Sequence, residues 1–304
     1  VIALMDLMEW RFVLATDLSK EQEVFLPLDW FKTLGEFNGS SAGNRAEESI
    51  LQGACELVER HVCAIVDAET LPLPTIDQAS CQEPVLAALI KKFASKGVRV
   101  VLKDFSLAMP APTVGAVAWD PATFPGVSEI VFTAGTAASP EKAAIRALTE
   151  VAQLAGDFET GAVYEASGLS KFETLAEMEW LLRGETIPLN SLPSIETDDI
   201  RNELGRLCKG LAELGYPLLS VDVSHPDIAV PAHYNIVPGF RFRERDRHAR
   251  VGMFVGRKLA EEAPIEQAEQ GLAAIESIYG RIFFLPFHQG LLALRQGDPL
   301  GAEE

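Results

Sequence analysis

One segment of the chain occurs twice, and this internal repeat limits the fold more than any other feature. "NGSSAGNRAEESILQGACELVERHV", residues 38–62, aligns with "GTAASPEKAAIRALTEVAQLAG", residues 135–156, at an offset of 94 residues between the helical parts. In each copy, a loop of small residues leads into a helical pattern of apolar residues. The repeat predicts two loop–helix units in related positions of one fold.

Each predicted helix has an apolar face and a polar face, and the polar positions of the two copies match. The apolar positions are Ile50, Leu51, Ala54, Leu57 and Val58 in the first copy and Ala144, Ala147, Leu148, Val151 and Leu154 in the second. The polar positions are Gln52, Glu56 and Glu59 in the first copy and Arg146, Glu150 and Gln153 in the second. Equivalent polar triplets are expected if the two helices face each other across a cleft.

The alternative interpretation is that both polar faces are simply solvated, as in most amphipathic helices. Against it, the matched positions hold no lysine, which is common on solvated faces. Carboxylates spaced like Glu56 and Glu59 can bind magnesium together with the phosphates of a substrate. The loops before both helices could also offer hydroxyl and N–H groups to an anion. The pattern therefore permits a metal–phosphate site, and both interpretations stay open on the pattern alone.

The rest of the chain predicts a mixed α/β or α+β fold, because strand-like and helical segments alternate irregularly. Strands are predicted at residues 10–16, 23–28, 98–104, 113–119, 129–134, 218–223 and 234–237. Helices are predicted at residues 46–66, 84–95, 140–156, 171–183 and 198–214, and from residue 251 onward. The proline-rich segments "LPLPTIDQ" and "IPLNSLPSIETDD" are expected to be loops.

Charge and composition exclude several classes of protein. The net charge of −18 argues against binding of nucleic acid through its phosphates. Neither a signal peptide nor a membrane-spanning run of apolar residues is visible, so we expect a cytoplasmic protein without a membrane partner. The four cysteines form no CxxC pair, which disfavours a zinc site. The start at Val1 and the end at "GDPLGAEE" indicate a fragment of a longer protein.

Several quoted segments resemble the YcaO family. "SSAGNRAEESILQGACELVERHV" is similar to the family's small-residue loop and ExxER helix, and "SPEKAAIRALTEVAQLAG" to its second helix with ExxQ. "LAELGYPLLSVDVSHPDIAVPAHYNIVPGF" is similar to the segment that contains the family's VPG sequence. Order and spacing agree over residues 10–256. The resemblance implies a YcaO-like fold of mixed β-sheets and flanking helices, with two related loop–helix halves facing a nucleotide cleft.

The resemblance also implies an activity. Family members bind ATP and magnesium without a P-loop, and this sequence contains no GxxxxGK[ST]. They phosphorylate a backbone amide oxygen of a peptide after a nucleophile has added to the amide carbon, which leads to an azoline, a thioamide or an amidine. The implied magnesium ligands are Glu56, Glu59 and Glu150. The implied nucleotide-binding residues are Ser40, Ser41, Glu47, Arg60, Arg146 and Gln153. No residue is assigned a catalytic role.

One departure from the family concerns a phosphate contact. Tyr234 stands where many members have an arginine, three residues before the VPG valine. The segment "FRFRERDRHAR" follows it and holds five arginines. We expect Arg241 and Arg243 to supply the triphosphate contact or to hold an acidic peptide, since guanidinium groups match the geometry of phosphate and carboxylate. The alternative is a salt-bridged surface loop.

The resemblance predicts a YcaO-like catalytic domain at residues 1–262 that lacks its N-terminal part. Residues 263–304 read as a helical segment, either the start of a tetratricopeptide-like array or a helix pair that closes the main domain.

The expected partners are a peptide or protein substrate and a TfuA-like or peptide-binding protein, and a homodimer is compatible with the family. Thioamide formation is placed slightly ahead of azoline formation. If the chain naturally ends at "RQGDPLGAEE", it lacks the PxPxP tail common in azoline-forming members, whereas in a fragment the missing tail carries no information. The alternative from another class is a non-hydrolytic nucleotide-binding scaffold that assists modification of a ribosomal protein.

Overall fold

The computed structural model describes residues 2–154, 172–243 and 250–302. Its contacts separate two compact units. The unit that we call the helical unit comprises Val1–Leu14, Phe25–Glu36 and Arg245–Glu304. The unit that we call the sheet unit comprises Ala15–Val24 and Phe37–Glu244.

One five-stranded sheet contains strands from both ends of the sequence. Its order is β2 (Gln22–Leu26), β1 (Val13–Asp17), β9 (Leu219–Asp222), β10 (Ala232–Ile236) and β3 (Ser40–Ala42). Strand β9 pairs antiparallel with β1 and β10, and β10 pairs antiparallel with β3. Helix α3 (Ala46–Glu69) packs on β10 and β3. The loop and helix of the first repeat copy are thus fixed to this sheet.

The second five-stranded sheet has a fully buried strand at its second position. Its order is β7 (Val131–Thr136), β6 (Thr113–Trp119), β5 (Arg99–Asp104), β4 (Thr75–Asp77) and β8 (Thr186–Pro188). All residues of β6 are buried, which explains its continuous apolar sequence "TVGAVAW". Helix α5 (Pro140–Gln153) packs on β6 and β7, and α3 also contacts β7. Helices α3 and α5, one from each repeat copy, therefore both contact β7.

Among the described residues, two of the other helices begin at a capping carboxylate. The other helices are α1 (Ile2–Met5), α2 (Leu28–Gly35), α4 (Pro84–Ser95), α6 (Glu179–Leu182), α7 (Ile200–Glu213), α8 (Val251–Glu262), α9 (Ile265–Tyr279) and α10 (Leu285–Gln296). The Glu83 carboxylate accepts the Leu86 N–H at the start of α4, and Asp199 accepts the Arg201 N–H at the start of α7. No helix in the described ranges has the length and apolarity that crossing a bilayer demands.

The mixed α+β fold is confirmed, but the two proline-rich segments are not simply loops. Each contributes a short strand, and β4 pairs in parallel with β8 through Thr75 and Thr186, Ile76 and Ile187, and Asp77 and Pro188. Strand β8 lies at the edge of the sheet, where a proline is tolerated. The loop prediction was wrong because this pairing joins segments far apart in sequence.

The helix predicted at residues 171–183 is largely wrong in the part that the structure describes. Only Glu179–Leu182 is helical, and residue 171 lies outside the described residues. Upstream, the Glu177 carboxylate accepts the Glu173 N–H, and the Thr174 hydroxyl accepts the Glu177 N–H. These side-chain bonds compete with a regular helix.

The compact units divide the sequence at different positions from the predicted domains. Helix α8 contacts α9 and α10 within the helical unit, although the predicted boundary follows residue 262. The predicted catalytic domain and tetratricopeptide-like segment stay predictions, since a compact unit is defined by contacts and not by activity.

Lys103 is among the largest fully buried side chains of the described residues and lies in β5. Its Nζ donates to Thr75 Oγ1 at 2.8 Å and to the Arg183 carbonyl at 2.6 Å. Both acceptors are uncharged, and burial lowers the pKa of Lys103 from 10.5 to about 8. Its charge therefore opposes folding near neutral pH.

We predict that the wild type gains stability relative to Lys103→Met as pH rises from 8 to 10.5. In this window the unfolded lysine binds more protons than the folded one, so the free energy of unfolding increases with pH. Across the whole window, the free energy of unfolding of the wild type rises by about 3 kcal/mol relative to that of Lys103→Met. Urea denaturation across this window measures it, with exposed Lys96→Met as the control. Equal slopes for wild type and Lys103→Met would contradict the prediction.

Candidate active site

The polar faces of the repeated helices line one cavity of the sheet unit. Its volume is about 490 Å³, and it is enclosed by β3, α3, β7 and α5. The predicted site residues that line it are Ser40, Ser41, Glu56, Glu59, Arg60, Arg146, Glu150 and Gln153. The structure thus brings together side chains from both repeat copies.

A hydrogen bond joins two equivalent positions of the repeat. Arg146 Nη2 donates to Gln52 Oε1 at 2.7 Å across a separation of 94 residues, which is the repeat offset itself. Arg146 Nη1 also donates to the Thr136 carbonyl at 3.1 Å. The prediction that the two loop–helix halves face each other across a cleft is confirmed.

Reciprocal hydrogen bonds fix the loop of the first copy to its helix. Ser41 Oγ donates to the Ser49 carbonyl at 2.6 Å, and Ser49 Oγ donates to the Ser41 carbonyl at 2.8 Å. His233 Nδ1 lies 3.0 Å from Ser49 Oγ, which links β10 to the same turn. The Ser41 side chain is therefore engaged within the protein, whereas Ser40 is exposed at the cavity.

Two glycines allow α3 to approach β3 and β10 closely. A Cβ on Gly53 would lie 2.5 Å from Ser41 Oγ and 2.6 Å from the Gly39 carbonyl oxygen. Gly39 has a φ of +84°, which favours glycine, and its N–H donates to Glu56 Oε2 at 3.3 Å. The close approach thus orients Glu56 at the cavity.

Glu59 and Glu150 are carboxylates held in a partly dry environment. Thr136 N–H donates to Glu59 Oε2 at 3.0 Å. Burial raises the pKa of Glu59 to about 7, the charge of Glu150 adds to the rise, and Arg60 and Arg146 oppose it. Burial also raises the pKa of Glu150, against the effect of the nearby arginines. Two such carboxylates in one cavity favour the entry of a cation.

The carboxylates do not form a complete metal centre by themselves. Within residues 2–154, 172–243 and 250–302, no three His, Cys, Asp or Glu side chains are arranged to hold a metal ion. Magnesium commonly uses one or two carboxylates together with substrate phosphates and water. Glu56, Glu59 and Glu150 therefore fit an ion that binds together with a phosphorylated ligand, and do not fit a preformed three-carboxylate centre.

Three predicted nucleotide-binding residues lie outside the lining of the cavity, namely Glu47, Arg241 and Arg243. Glu47 Oε1 accepts from Arg201 Nη2 at 2.7 Å and from Arg201 Nε at 3.1 Å. Arg241 Nη1 lies 3.6 Å from Glu69 Oε1, and the Arg241 N–H donates to His61 Nδ1. Their roles in nucleotide binding stay predictions.

Arg243 interacts electrostatically with a carboxylate of the cavity. Its guanidinium is 5.7 Å from the centre of the Phe132 ring, and its charge opposes the raised pKa of Glu150. The rest of the arginine-rich segment, residues 244–249, lies outside the described residues.

The structure adds residues to which the sequence had assigned no function. Gln52 and Thr149 line the cavity. Thr149 lies about one helical turn after Arg146 in α5, on the face that also carries Glu150. Tyr234 is buried, and burial raises the pKa of its phenol to about 12, with a smaller contribution from Glu56. Helical spacing could have identified Thr149, but nothing in the sequence places Tyr234 beside Glu56.

Comparisons with known proteins identify the family of this chain. The profile of the family described as "YcaO cyclodehydratase", binding ATP and Mg²⁺, matches residues 5–241. The chain belongs to the YcaO family. A relative from Methanothermobacter thermautotrophicus is 31% identical over 211 residues, which cover 66% of this chain and 55% of the relative. A protein encoded in the tfuA 3′ region of Rhizobium leguminosarum bv. trifolii is 25% identical over 230 residues, covering 71% of this chain and 55% of that protein.

Solved structures share the fold. YcaO from Methanopyrus kandleri, bound with AMPPCP and Mg²⁺, is 27% identical with a TM-score of 0.63 over 77% of this chain and 65% of that chain. A heterocyclase in complex with substrate and cofactor is 25% identical with a TM-score of 0.68 over 77% of this chain and 33% of that chain. The chain spans about half the length of the curated relatives that it matches.

We predict that Gly53→Ala destabilises the protein by about 2 kcal/mol or more, because the new methyl group must displace Ser41 and the Gly39 backbone. Gly205→Ala is the matched control, since Gly205 is also inside a helix but has no atom within 4 Å of an added Cβ. The control should stabilise the protein by about 0.5–1 kcal/mol through helix propensity. Chemical denaturation measures both, and similar effects of the two substitutions would refute the close approach.

Proposed function

We propose that this protein is an ATP- and Mg²⁺-dependent enzyme that activates a backbone amide of a peptide or protein. The observation that carries the proposal is the cavity where two repeated helices present carboxylates and arginines to one another. Such a cavity offers separate groups for a metal ion and for phosphates. The matching family is described as ATP- and Mg²⁺-binding.

Arginines from both halves support a triphosphate site. Arg60 from α3 and Arg146 from α5 line the same cavity, and each opposes the raised pKa of Glu59. Guanidinium groups bind phosphate oxygens in a bidentate manner. The Methanopyrus kandleri structure, bound with AMPPCP and Mg²⁺, supports the same use of the fold.

The carboxylates fit the metal that accompanies a nucleotide. When bound, magnesium neutralises charge on the phosphates and stabilises the charge that develops during phosphoryl transfer. Glu56, Glu59 and Glu150 would hold it, with Glu59 oriented by the Thr136 N–H and Glu56 by the Gly39 N–H. These main-chain bonds reduce the movement needed when the site fills.

The proposed reaction proceeds by addition, phosphorylation and elimination. A nucleophile adds to the amide carbon, and the resulting oxyanion attacks the γ-phosphorus of ATP and releases ADP. Phosphate then leaves with the former amide oxygen, while the nitrogen or the nucleophile loses a proton. An external sulfide yields a thioamide, and a neighbouring side-chain thiol or hydroxyl yields an azoline. Arg60 and Arg146 would stabilise the phosphoryl group during transfer.

Thioamide formation is the favoured product class. The relative encoded in the tfuA 3′ region supports a TfuA-like protein as the partner. The heterocyclase structure shares the fold, which keeps azoline formation as the second product class. A peptide substrate is common to both.

We predict that Glu59→Gln and Glu150→Gln weaken binding of ATP about tenfold or more in the presence of Mg²⁺. Without Mg²⁺, the same variants should bind ATP as well as or better than the wild type, because they lack a charge that repels phosphate. Isothermal titration calorimetry with and without EDTA measures both effects.

Glu141→Gln is the matched control for this experiment. Glu141 belongs to α5 as Glu150 does, but its charge acts on Cys81 and it does not line the cavity. It should bind like the wild type under both conditions. If Glu59→Gln and Glu150→Gln bind ATP as tightly as the wild type does in the presence of Mg²⁺, these carboxylates do not hold the metal ion and the prediction is wrong.

We further predict that the wild type releases ADP only when a peptide substrate is present, and that Arg146→Met reduces this release about 100-fold or more. A coupled assay measures ADP, and mass spectrometry identifies the product. Exchange of oxygen for sulfur indicates a thioamide, and loss of water indicates an azoline. Nucleotide binding without ADP release, with every candidate peptide and partner, would favour the non-hydrolytic scaffold.

A further inference from the structure

Strand β3 has an open edge at the candidate active site. It is the last strand of its sheet, and among the described residues no strand pairs with its free side. Ser40 and Ala42 are exposed, and all three residues of β3 line the cavity that contains the carboxylates. An open sheet edge therefore borders the place where the proposed chemistry occurs.

The bonds between β3 and β10 show which main-chain groups point outward. The Gly43 N–H donates to the Pro231 carbonyl, just before β10, at 3.0 Å. The Gly39 carbonyl accepts an N–H of β10 at 2.9 Å. The two glycines therefore face β10. The alternation of antiparallel pairing turns Ser40 and Ala42 toward the open edge.

Three outward groups of β3 are available to a ligand. The Ser40 N–H is already used, because it donates to the Phe37 carbonyl at 3.2 Å. The Ser40 carbonyl and both main-chain groups of Ala42 make no hydrogen bond within the described part of the chain. The edge thus presents one donor between two acceptors. An antiparallel strand matches this order with one carbonyl between two N–H groups.

The other edge strands are protected in ways that proteins commonly use. Strand β8 contains Pro188, and β2 contains Glu23. On β7, the main-chain groups of Thr136 are bonded by the side chains of Glu59 and Arg146. Strand β3 has only the small side chains of its sequence "SSA", which allow another backbone to come close.

We infer that β3 binds the peptide substrate as an added antiparallel strand. Such pairing recognises the backbone itself, which suits an enzyme whose reacting group is a backbone amide. The inference rests on the proposed function, since it names the substrate site of the same cavity. It assigns the main chain of β3 to the peptide, and leaves the carboxylates and arginines of α3 and α5 to the metal ion and the nucleotide.

Two N-methylated peptides test the inference. Each has eight residues of alternating threonine and valine, a fluorescein label and four N-methyl groups, which remove N–H donors. In the alternately methylated peptide, every second residue is methylated, so one edge keeps all its donors. In the consecutively methylated peptide, the four middle residues are methylated, so neither edge keeps the two neighbouring donors that β3 requires.

Fluorescence anisotropy without nucleotide measures binding of both peptides. We expect the alternately methylated peptide to bind about tenfold more tightly than the consecutively methylated one, because only it can satisfy both carbonyls of the edge. The two peptides have the same composition and the same number of methyl groups. Equal binding would overturn the inference.

Variants of Ala42 locate the binding edge. Ala42→Pro removes the outward N–H, and a proline is tolerated on an edge strand. It should weaken binding of the alternately methylated peptide about tenfold, whereas Ala42→Ser, which keeps the N–H, should bind like the wild type. Thermal unfolding checks that both variants are folded. A folded Ala42→Pro variant with wild-type affinity would place the peptide elsewhere and refute the inference.

Cysteine labelling gives a second test that does not depend on the proline variant. The four native cysteines are buried, whereas Ser40 and Ser95 are exposed. With a chloroacetamide group on the alternately methylated peptide, Ser40→Cys should react about tenfold faster than Ser95→Cys, which lies on α4. Each rate is divided by the rate with free chloroacetamide. Equal ratios for the two variants would contradict binding at β3.

Nucleotide distinguishes the peptide site from the ATP site. AMPPCP with Mg²⁺ should leave binding of the alternately methylated peptide unchanged or strengthen it. Displacement of the peptide by AMPPCP would assign the edge to the nucleotide and overturn the inference. Peptide binding at β3 without any ATP binding would support the edge site and refute the proposed function alone. ATP binding with no difference between the two peptides would refute the inference alone.

Discussion

The close contact of α3 with β3 and β10 is the constraint on which the cavity depends. Gly39 and Gly53 allow the helix to approach the strands to a distance that no side chain would permit. The same contact fixes the position of α3, so that Glu56 and Glu59 line the cavity that α5 borders. Helix α5 is fixed equally firmly, because a Cβ on Gly135 would lie 2.5 Å from the Ala147 nitrogen. The carboxylates thus owe their positions to close contacts at Gly39 and Gly53 for α3 and at Gly135 for α5.

The electrostatics of the cavity follow from this packing. Glu59 is held in a poorly solvated position by a main-chain N–H and two nearby arginines, rather than by a single ion pair. Such an arrangement keeps a carboxylate available for a ligand, because no one partner has to be displaced. The proposed nucleotide–magnesium site uses all of these groups, and the family to which the chain belongs is described as binding ATP and Mg²⁺.

The sequence predicted the local parts of this structure well. Helix α4 and strand β6 have the predicted bounds, because a proline with a capping carboxylate and a continuous apolar run are signals within one segment. The repeat also placed the polar faces correctly. What it could not predict depends on distant partners. The short strands β3, β4 and β8 exist only through pairing, and Glu47 bonds to Arg201, which lies 154 residues away.

The pairing of β3 with β10 also affects the order of folding. The Gly39 carbonyl accepts a hydrogen bond from Asn235 Nδ2 across 196 residues, and Ser49 contacts His233 across 184. Contacts so distant in sequence form late, after the entropy cost of closing a long loop has been met. During synthesis, both repeated helices emerge before β10, so the loop beside Glu56 has no sheet to rest on until nearly the whole sheet unit has been made. We therefore expect a nascent chain to acquire the cavity near the end of its folding, with few partly folded states that present the proposed nucleotide site.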